Sequence, residues 1–354
     1  MALAPSDASV KSRTISRAST RRVRVGVIGC GEWGKHLVRE FAQANFASLV
    51  SCCDSSAERL EGIRRAYPKI KPVNDAAQLL RDPSIEAVVI ATPAVTHADL
   101  TVEALQSGKH VFVEKPIALS VADARRCIEA ARRANRKLMV GHLLLYHPAF
   151  LMVKRLTDSG ELGQVRYIYT QRLNLGRIRT DENALWSLAP HDISMILQLL
   201  GGEPVSVSAR GAGYIQEKIE DVVFVTLHFS DGKLGHIHLS WLDPHKIRKV
   251  TVVGSQKMVT FDDMEPTEKI RVYDKGAMRE YDSYGDWWIT MRSGDIQIPR
   301  VDLTEPLRLE CQHFLECVRE DREPLSNGED GLHVLRVLDA AQRSLEQKGA
   351  VVNV

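Results

Sequence analysis

The sequence predicts an α/β protein, with a doubly wound parallel sheet followed by a C-terminal α+β domain on a mostly antiparallel, open sheet. Short β-branched runs alternate with helical patterns over residues 23–145, as in repeated strand–helix units. A glycine-rich segment follows the first of these runs. Over residues 146–354 the pattern changes to alternating strands framed by helices, which predicts a second domain.

Length and composition are those of an ordinary two-domain protein. The 354 residues are 44% apolar and 26% charged, and the formal net charge is +2, so we expect no nucleic-acid partner. No apolar run reaches the ~18 residues of a membrane span, so we expect no membrane partner. The six cysteines lack metal-ligand spacing, which predicts no metal site and reduced thiols in a cytoplasmic protein.

Residues 1–22 are rich in Ser, Ala and Arg and lack a hydrophobic core. This composition excludes a secretory signal and predicts a disordered tail. An organelle transit peptide is the alternative, because such segments are also rich in Arg and Ser and poor in acidic residues.

The first strand–turn–helix unit predicts a Rossmann-type dinucleotide site. Residues 23–28 read VRVGVI, the glycine turn GCGEWG follows, and residues 35–43 have helical spacing. The turn carries the GxGxxG pattern, which lets the backbone approach a pyrophosphate at the start of the helix. We predict cofactor contacts from Gly29, Gly31, Glu32, Trp33, Gly34 and Asp54.

Asp54 bears on the choice of dinucleotide. It ends the second strand-like run, 20 residues after Gly34, where a carboxylate accepts hydrogen bonds from the ribose hydroxyls of an adenosine. The same negative charge repels a 2′-phosphate, so NAD is the predicted cofactor. Arg59 lies five residues after Asp54, and its positive charge could approach a 2′-phosphate. NADP is therefore the less favoured alternative.

Three more strands complete the predicted parallel sheet, at residues 86–93, 110–116 and 137–142, with helices at residues 96–108 and 120–135 between them. Ligands bind beyond the carboxyl ends of such strands. These ends carry Thr92, Pro93, Glu114, Lys115 and His142. We therefore expect Lys115 on the cofactor side of the sheet and not as a solvated edge charge.

The second half has a strand near residues 164–173 and then roughly six antiparallel strands by pattern alone. An Asp-Gly turn at residues 230–233 predicts a hairpin, and residues 275–300 read as a loop. Helices are expected at residues 150–160, 191–201, 305–321 and 328–347. Because an open sheet offers a flat face for self-association, we expect a homodimer or a homotetramer.

Five segments within residues 23–202 resemble the Gfo/Idh/MocA oxidoreductases, named for glucose-fructose oxidoreductase and inositol dehydrogenase. The segments are VGVIGCGEWG, ATPAVTHADLTVEAL, GKHVFVEKPIA, VGHLLLYHP and APHDISMILQLLG. The EKP element joined to the glycine turn is specific to this family. The strand-rich remainder of the chain suits the family's second domain.

The resemblance implies roles for individual residues. Lys115 would lie near the nicotinamide and bond the hydroxyl that is oxidised, and Glu114 would contact the nicotinamide ribose. Further cofactor contacts would come from Thr92, Pro93 and His97. The family often has an acid-x-x-x-histidine pattern at the start of a later helix; here His191 supplies the histidine and Ser187 stands in the place of the acid.

The chemistry expected of such a site is hydride transfer coupled to loss of a proton. Lys115 and His191 form the predicted catalytic pair, in which one polarises the oxygen and the other moves the proton. Ser187 can orient His191 only weakly compared with a carboxylate. Asp192, the next residue after His191, either compensates for the missing acid or only caps the start of the helix. The predicted substrate-binding residues are His142, Arg172, Asn183, Trp186, Ser187 and Asp192.

The predicted function is NAD-dependent oxidation of a secondary hydroxyl of a sugar. A nucleotide-linked sugar is preferred, because GHLLLYHP and ENALWSLAPHDIS resemble UDP-N-acetylglucosamine 3-dehydrogenases. One alternative is an NADPH-dependent keto-sugar reductase or a dehydrogenase of inositol or free sugars. Another alternative is a non-catalytic regulator that binds a dinucleotide. The serine at position 187, where the family often has an acid, slightly favours this alternative, whereas the presence of Lys115 disfavours it.

Overall fold

The computed structural model describes residues 21–176, 178–281 and 287–354. Within these residues the first sheet has six parallel strands. They are β1 Val23–Ile28, β2 Ala47–Cys53, β3 Lys71–Val73, β4 Ala87–Ile90, β5 His110–Glu114 and β6 Leu138–Gly141. Their spatial order is β3-β2-β1-β4-β5-β6, which confirms the predicted doubly wound sheet. The pattern missed β3, because three residues are too few for a periodic signal.

The helices between these strands follow their local sequence signals. They are α1 Gly34–Gln43, α2 Ala57–Ala66, α3 Ala76–Arg81, α4 His97–Gln106 and α5 Val121–Ala134. Leu37, Val38 and Phe41 bury the inner face of α1. Ser120 caps α5 by accepting a hydrogen bond from the N–H of Asp123, as expected of serine at this position. This cap fixes where the loop between β5 and α5 ends.

Within the described residues the second sheet has nine strands, more than the pattern predicted. They are β7 Val165–Leu175, β8 Ser206–Ala212, β9 Val222–His228, β10 Leu234–Ser240, β11 Leu242–Gly254, β12 Met258–Asp262, β13 Ile270–Tyr281, β14 Trp287–Gln297 and β15 Val352–Asn353. Their order is β14-β13-β12-β11-β7-β10-β9-β8-β15, and β7–β10 is the parallel pair. The Asp-Gly turn joins β9 to β10, which confirms the predicted hairpin.

Residues 275–300 do not form the predicted loop, because most of them belong to the paired strands β13 and β14. Gly276 and Gly294 interrupt the alternating pattern of these strands. β13 pairs with β12, and this pairing stabilises a strand that the local β-propensity does not predict.

The remaining helices are α6 Pro148–Asp158, α7 Ala184–Leu200, α8 Pro306–Glu320 and α9 Gly328–Glu346. The prediction for α7 is wrong at its start, because the helix begins seven residues before His191. Asn183 caps it by accepting a hydrogen bond from the N–H of Trp186. Pro190 lies inside the helix, where it removes one backbone donor, and does not mark its beginning.

The C-terminal helices join the two sheets. Phe41, Phe112 and Phe314 meet edge to face with ring centroids 5.8–6.4 Å apart, which ties α8 to α1 and β5. Ser326, just before α9, accepts a hydrogen bond from the N–H of Val140 at 2.8 Å, and its hydroxyl donates to the carbonyl of Val140 at 2.7 Å. The segment between α8 and α9 therefore positions β6 directly before His142.

One face of the second sheet packs on α7 and α9, and its other face is partly open. Tyr167, Phe224 and Leu234 on the open face are 42–44% exposed. The two sheets lie on either side of the predicted boundary at residue 145, and that boundary stays a prediction. Apart from Arg21 and Arg22, the predicted tail of residues 1–22 lies outside the described residues. In the described part of the chain, no helix has the length and apolar character to cross a membrane.

Candidate active site

The glycine turn has the shape needed to hold a pyrophosphate. Gly29 has a φ of +94°, and a Cβ atom there would lie 2.5 Å from the carbonyl oxygen of Ala91. A Cβ atom on Gly34 would lie 2.0 Å from the carbonyl oxygen of Gly29, so α1 can start here only with glycine. At Gly31 the nearest described atom to such a Cβ belongs to the Arg59 guanidinium, at 3.6 Å. The open side of Gly31 and the positive end of α1 therefore fit a dinucleotide phosphate.

Asp54 is held beside this turn by backbone donors. Its two carboxylate oxygens accept hydrogen bonds from the N–H groups of Cys30 and Ser56, each at 2.8 Å. Arg59 reaches the same edge, but its Nη1 lies 3.5 Å from Asp54 Oδ1 and is paired with that charge. The arrangement suits a ribose with a free 2′-hydroxyl. Glu32, by contrast, has a 94% exposed side chain and lies 3.5 Å from Lys35.

A cavity of about 590 Å³ opens at the carboxyl edge of the first sheet. The predicted site residues that line it are Trp33, Thr92, Pro93, His97, Glu114, Lys115 and His191. His191 enters from α7, which belongs to the second half of the chain, whereas the others come from the first sheet and its loops. The fold thus brings the predicted catalytic pair to one cavity, together with most of the predicted cofactor residues.

Lys115 is partly buried between the two halves of the chain. Its Nζ donates a hydrogen bond to the carbonyl oxygen of Ser187 at 3.3 Å, and the peptide bond between Lys115 and Pro116 is cis. Burial lowers the pKa of Lys115 below that of an ordinary lysine, although the charge of Glu114 opposes the shift. Ser187 therefore meets the site through its backbone, on a position where the family often carries an acid.

Glu114 precedes Lys115 and accepts a hydrogen bond from the indole N–H of Trp33 at 2.5 Å. Burial raises the pKa of Glu114 to about 7, while the Trp33 hydrogen bond and the Lys115 charge act in the opposite direction. Trp33 thus links the glycine turn to the strand end that carries the lysine. The expected contact of Glu114 with a nicotinamide ribose stays a prediction.

Two histidines lie near Lys115, the buried His142 and the partly buried His191. Burial lowers the pKa of His191 well below its ordinary value, and the charges of Lys115 and Arg172 add to the shift. His191 Nδ1 has no hydrogen-bond partner among the described residues. Burial likewise lowers the pKa of His142 to about 3. Both shifts favour the neutral form of the imidazole.

His97 connects two loops of the cavity. Its Nδ1 lies 2.7 Å from the carbonyl oxygen of Pro116, and its Nε2 lies 2.9 Å from that of Thr92. Because a neutral imidazole has one N–H, it donates to one of these carbonyls at a time. The ring holds the loop after β4 against the loop that carries Lys115.

Asp192 does not cap α7, because the helix starts before it. Its carboxylate pairs with the Arg172 guanidinium, with Nε to Oδ2 at 2.5 Å and Nη2 to Oδ1 at 3.4 Å. Both side chains are buried, at 9% and 1% exposed. The pair joins β7 to α7 directly beside His191. Among the described contacts, neither member of the pair makes a direct hydrogen bond to the imidazole of His191, so the pair does not orient this ring directly.

Asn183 and Trp186 have protein partners at the start of α7. The amide of Asn183 donates to Glu220 at 2.7 Å and to Gln342 at 3.2 Å, and the indole of Trp186 donates to Gln342 at 3.1 Å. Among the described residues that line the cavity, neither of them appears. Contact of these two side chains with a substrate stays a prediction.

The pattern did not single out Arg179, Asp181 and Glu182, which line the cavity opposite the first sheet. The segment between β7 and α7 is rich in polar residues, which indicates a binding segment but does not show which of its side chains face the cavity. The sequence of residues 241–249 is compatible with a segment that reaches a nucleotide phosphate and with a hairpin, and it does not single out Arg248. In the structure Arg248 pairs across strands with Arg172 and helps to lower the pKa of His191.

The described residues contain no cluster of three potential metal ligands. His236 and His238, which share one face of β10, have other partners. His236 Nδ1 lies 3.1 Å from the hydroxyl of Thr226, and His238 stacks on Phe224 at 4.3 Å. These contacts are those of histidines on a sheet face.

The site can combine hydride and proton transfer. Thr92, Pro93 and Glu114 would hold the nicotinamide end of NAD, which supplies the hydride acceptor when it is bound. Lys115 and His191 can polarise the reacting oxygen and take its proton. Arg179, Asp181 and Glu182, from the segment between β7 and α7, line the opposite side.

Comparison with known proteins agrees with this chemistry. Residues 23–142 match the family described as an oxidoreductase family with an NAD-binding Rossmann fold. Residues 150–260 match the GFO/IDH/MocA C-terminal domain.

Relatives match over nearly their whole length. Inositol 2-dehydrogenase of Rhizobium meliloti is 30% identical over 92% of this chain and 98% of the relative. UDP-N-acetylglucosamine 3-dehydrogenase of Acidithiobacillus ferrooxidans is 27% identical over 88% of this chain and 94% of the relative. The crystal structure of a putative oxidoreductase from Magnetospirillum magnetotacticum superposes with a TM-score of 0.78 at 32% identity, covering 90% of this chain and 99% of the other.

These matches confirm the resemblance and the NAD cofactor predicted from the motifs. The chain belongs to the Gfo/Idh/MocA family of oxidoreductases, and it is an NAD-binding dehydrogenase of the sugar and polyol type that acts on CH–OH groups.

Proposed function

We propose that the chain oxidises a secondary hydroxyl of a nucleotide-linked sugar, with Lys115 and His191 at the reacting carbon. The observation that carries this proposal is that both side chains line one cavity with Thr92, Pro93 and Glu114. Nicotinamide and substrate must meet in such a cavity for hydride transfer. The partial burial of Lys115 matters because it lowers the lysine pKa towards the range in which proton transfer works near neutral pH.

In this proposal Lys115 takes the hydroxyl proton and neutral His191 holds the oxygen. The support comes from the direction of the two pKa shifts. The pKa of Lys115 moves from a high value towards neutrality, whereas that of His191 moves away from neutrality to lower values. A general base works best when its pKa lies near the working pH, so the shifts favour lysine as the base.

The position of Arg248 favours a substrate that carries an anionic group. It lies beside Arg172 on the neighbouring strand, and no carboxylate of the described residues is recorded within an ion-pair distance of its guanidinium. Arg172, in contrast, is neutralised by Asp192. A guanidinium with spare donors near the active site suits the diphosphate of a nucleotide sugar.

A turnover screen tests the substrate. With NAD, we expect formation of NADH from at least one UDP-linked sugar, and we expect Arg248→Met to raise its KM about tenfold or more, because a charge-assisted contact is worth ~1.5–3 kcal/mol. Lys246→Met, an exposed position on the same strand, is the matched control and should leave KM unchanged. Turnover of free polyols alone would contradict the proposal.

An inositol or another free polyol is the second candidate. It is favoured by the 30% identity to the inositol 2-dehydrogenase of Rhizobium meliloti. The same screen separates the two, because Arg248→Met should not affect the KM of an uncharged polyol.

We also propose that two or four copies associate through the open face of the second sheet. Its support is the set of partly exposed apolar side chains that includes Tyr167, Phe224 and Leu234. Light scattering should give two or four times the chain mass of 39.6 kDa. Phe224→Asp should shift the protein towards the monomer, whereas a monomeric wild type would contradict this assembly.

A further inference from the structure

The active-site cavity has a charged side opposite the first sheet, which the proposed reaction does not yet use. Arg179, Asp181 and Glu182 line this side. Arg179 Nη1 lies 3.0 Å from Glu182 Oε1, and the two side chains are 48% and 30% exposed. Asp181 has no recorded ion-pair partner among the described residues. One guanidinium therefore stands beside two carboxylates, and these three side chains give this side of the cavity a net negative charge.

The backbone that carries the Arg179–Glu182 pair is fastened to the connection between β8 and β9. The side-chain amide of Gln216 donates a hydrogen bond to the carbonyl oxygen of Arg179 at 2.9 Å. Directly after Glu182, the side-chain amide of Asn183 donates to the carboxylate of Glu220 at 2.7 Å. Side chains on a backbone held in this way keep a fixed place relative to a bound ligand, as a selective contact requires.

Stability of the fold does not account for the Arg179–Glu182 pair. An ion pair with both partners this exposed adds little to the free energy of unfolding. A guanidinium offers only donors and a carboxylate only acceptors, so the pair presents both kinds of group to the cavity. A hydroxyl group both donates and accepts, and two neighbouring hydroxyls on a ring can therefore bind the two charged groups together. The pair thus suits a ring that carries several hydroxyls.

The charges that line the cavity disfavour an acidic ring. Arg179 is already paired with Glu182, and Asp181 adds a second carboxylate on the same side. Lys115, on the side of the first sheet, serves the reacting hydroxyl in the proposed reaction. A carboxylate on the sugar would therefore meet like charges, and such contacts suppress the binding of a wrong partner.

We propose that the sugar ring of the substrate is neutral, that Arg179 and Glu182 bind two of its hydroxyls, and that Glu182 and Asp181 exclude the corresponding uronic acid. This inference rests on the proposed function and narrows it to one class of sugar. The negative charge of the substrate is then confined to the diphosphate that Arg248 binds, and the cavity receives an uncharged ring.

The test compares two substrates that differ at one carbon. With NAD, kcat/KM of the wild type is measured for UDP-N-acetylglucosamine and for its uronic acid, in which a carboxylate replaces the alcohol at C6. The ratio of the two values reports the discrimination between these sugars. We expect the neutral sugar to be preferred by about 100-fold or more.

Two variants should move this preference in opposite directions. Glu182→Gln removes a negative charge and should lower the preference about tenfold, whereas Arg179→Met removes the positive charge and should raise it by about the same factor. In both variants KM for the neutral sugar should rise while kcat stays within about threefold of wild type, because neither side chain is placed at the reacting atoms. A loss of folding would not lower the preference in one variant and raise it in the other.

Glu217→Gln is the matched control. Glu217 is an exposed carboxylate next to Gln216, and it is not among the described residues that line the cavity. Its substitution should leave both KM values and the preference unchanged. Equal turnover of the two sugars by the wild type would overturn the inference. A preference that Glu182→Gln and Arg179→Met shift in the same direction, or do not shift, would also overturn it.

Failure of the proposed function is distinguishable, because then neither UDP-linked sugar yields NADH while a free polyol does. In that case D-glucose and D-glucuronate are compared as competitive inhibitors of polyol oxidation. Stronger inhibition by the neutral sugar, with the same opposite shifts in the two variants, would support the neutral ring. Equal inhibition by the two sugars would contradict it.

Discussion

Replacing Lys115 by methionine should lower kcat for alcohol oxidation by about 10²–10⁴-fold, the range typical of a lost general base. Methionine keeps most of the buried stem and removes the ammonium group. NAD binding should remain close to wild type, because the phosphate and ribose contacts come from the glycine turn and Asp54. Steady-state kinetics and a fluorescence titration with NADH measure the two quantities.

The pH profile gives the second readout of this variant. In the wild type, kcat/KM should rise with pH as Lys115 loses its proton, and the limb should lie below the ordinary lysine pKa of 10.5 because burial lowers it. Lys115→Met should remove this limb. Lys35→Met, on the exposed side of α1, is the matched control and should keep both rate and profile. Wild-type turnover in Lys115→Met would refute the role of this lysine.

Removing the charge of Asp192 should destabilise the fold by about 3–5 kcal/mol, because Asp192→Asn leaves the Arg172 guanidinium buried without its counter-charge. The two side chains are 1% and 9% exposed, so water cannot compensate. The free energy of unfolding in urea measures the effect. The double variant Arg172→Met with Asp192→Leu should recover most of the loss, because it removes both buried charges.

A surface pair provides the comparison. Arg343 and Asp339 lie 3.0 Å apart on α9 with about half of each side chain exposed, at 45% and 50%. Asp339→Asn should cost about 0–1 kcal/mol, as for other exposed pairs. Equal losses in Asp192→Asn and Asp339→Asn would show that burial of the Arg172 pair has no energetic weight.

The first half of the site could be predicted because its residues are tied to strand ends. A glycine turn after β1, an acid after β2 and a lysine after β5 come to one edge whenever the strands are parallel. Local sequence therefore places Gly31, Asp54 and Lys115 near one another without knowledge of the rest of the chain.

The second half resisted prediction because its decisive contacts span long stretches of sequence. Asn183 and Trp186 bond Gln342, more than 150 residues away, and no local pattern indicates this partner. Asp192 follows the predicted helix start at His191, so the local sequence is compatible with a capping role. Its ion pair with Arg172 depends on the packing of α7 against β7, which only the tertiary structure defines.

The bonds between Val140 and Ser326 have a consequence for synthesis of the chain. β6 forms one edge of the first sheet, and both backbone groups of Val140 turn outwards to Ser326. A nascent chain that ends after β6 therefore exposes a strand edge able to pair with other chains. The cofactor half cannot close that edge until the ribosome has delivered Ser326, so its own completion depends on a segment that is synthesised 186 residues later.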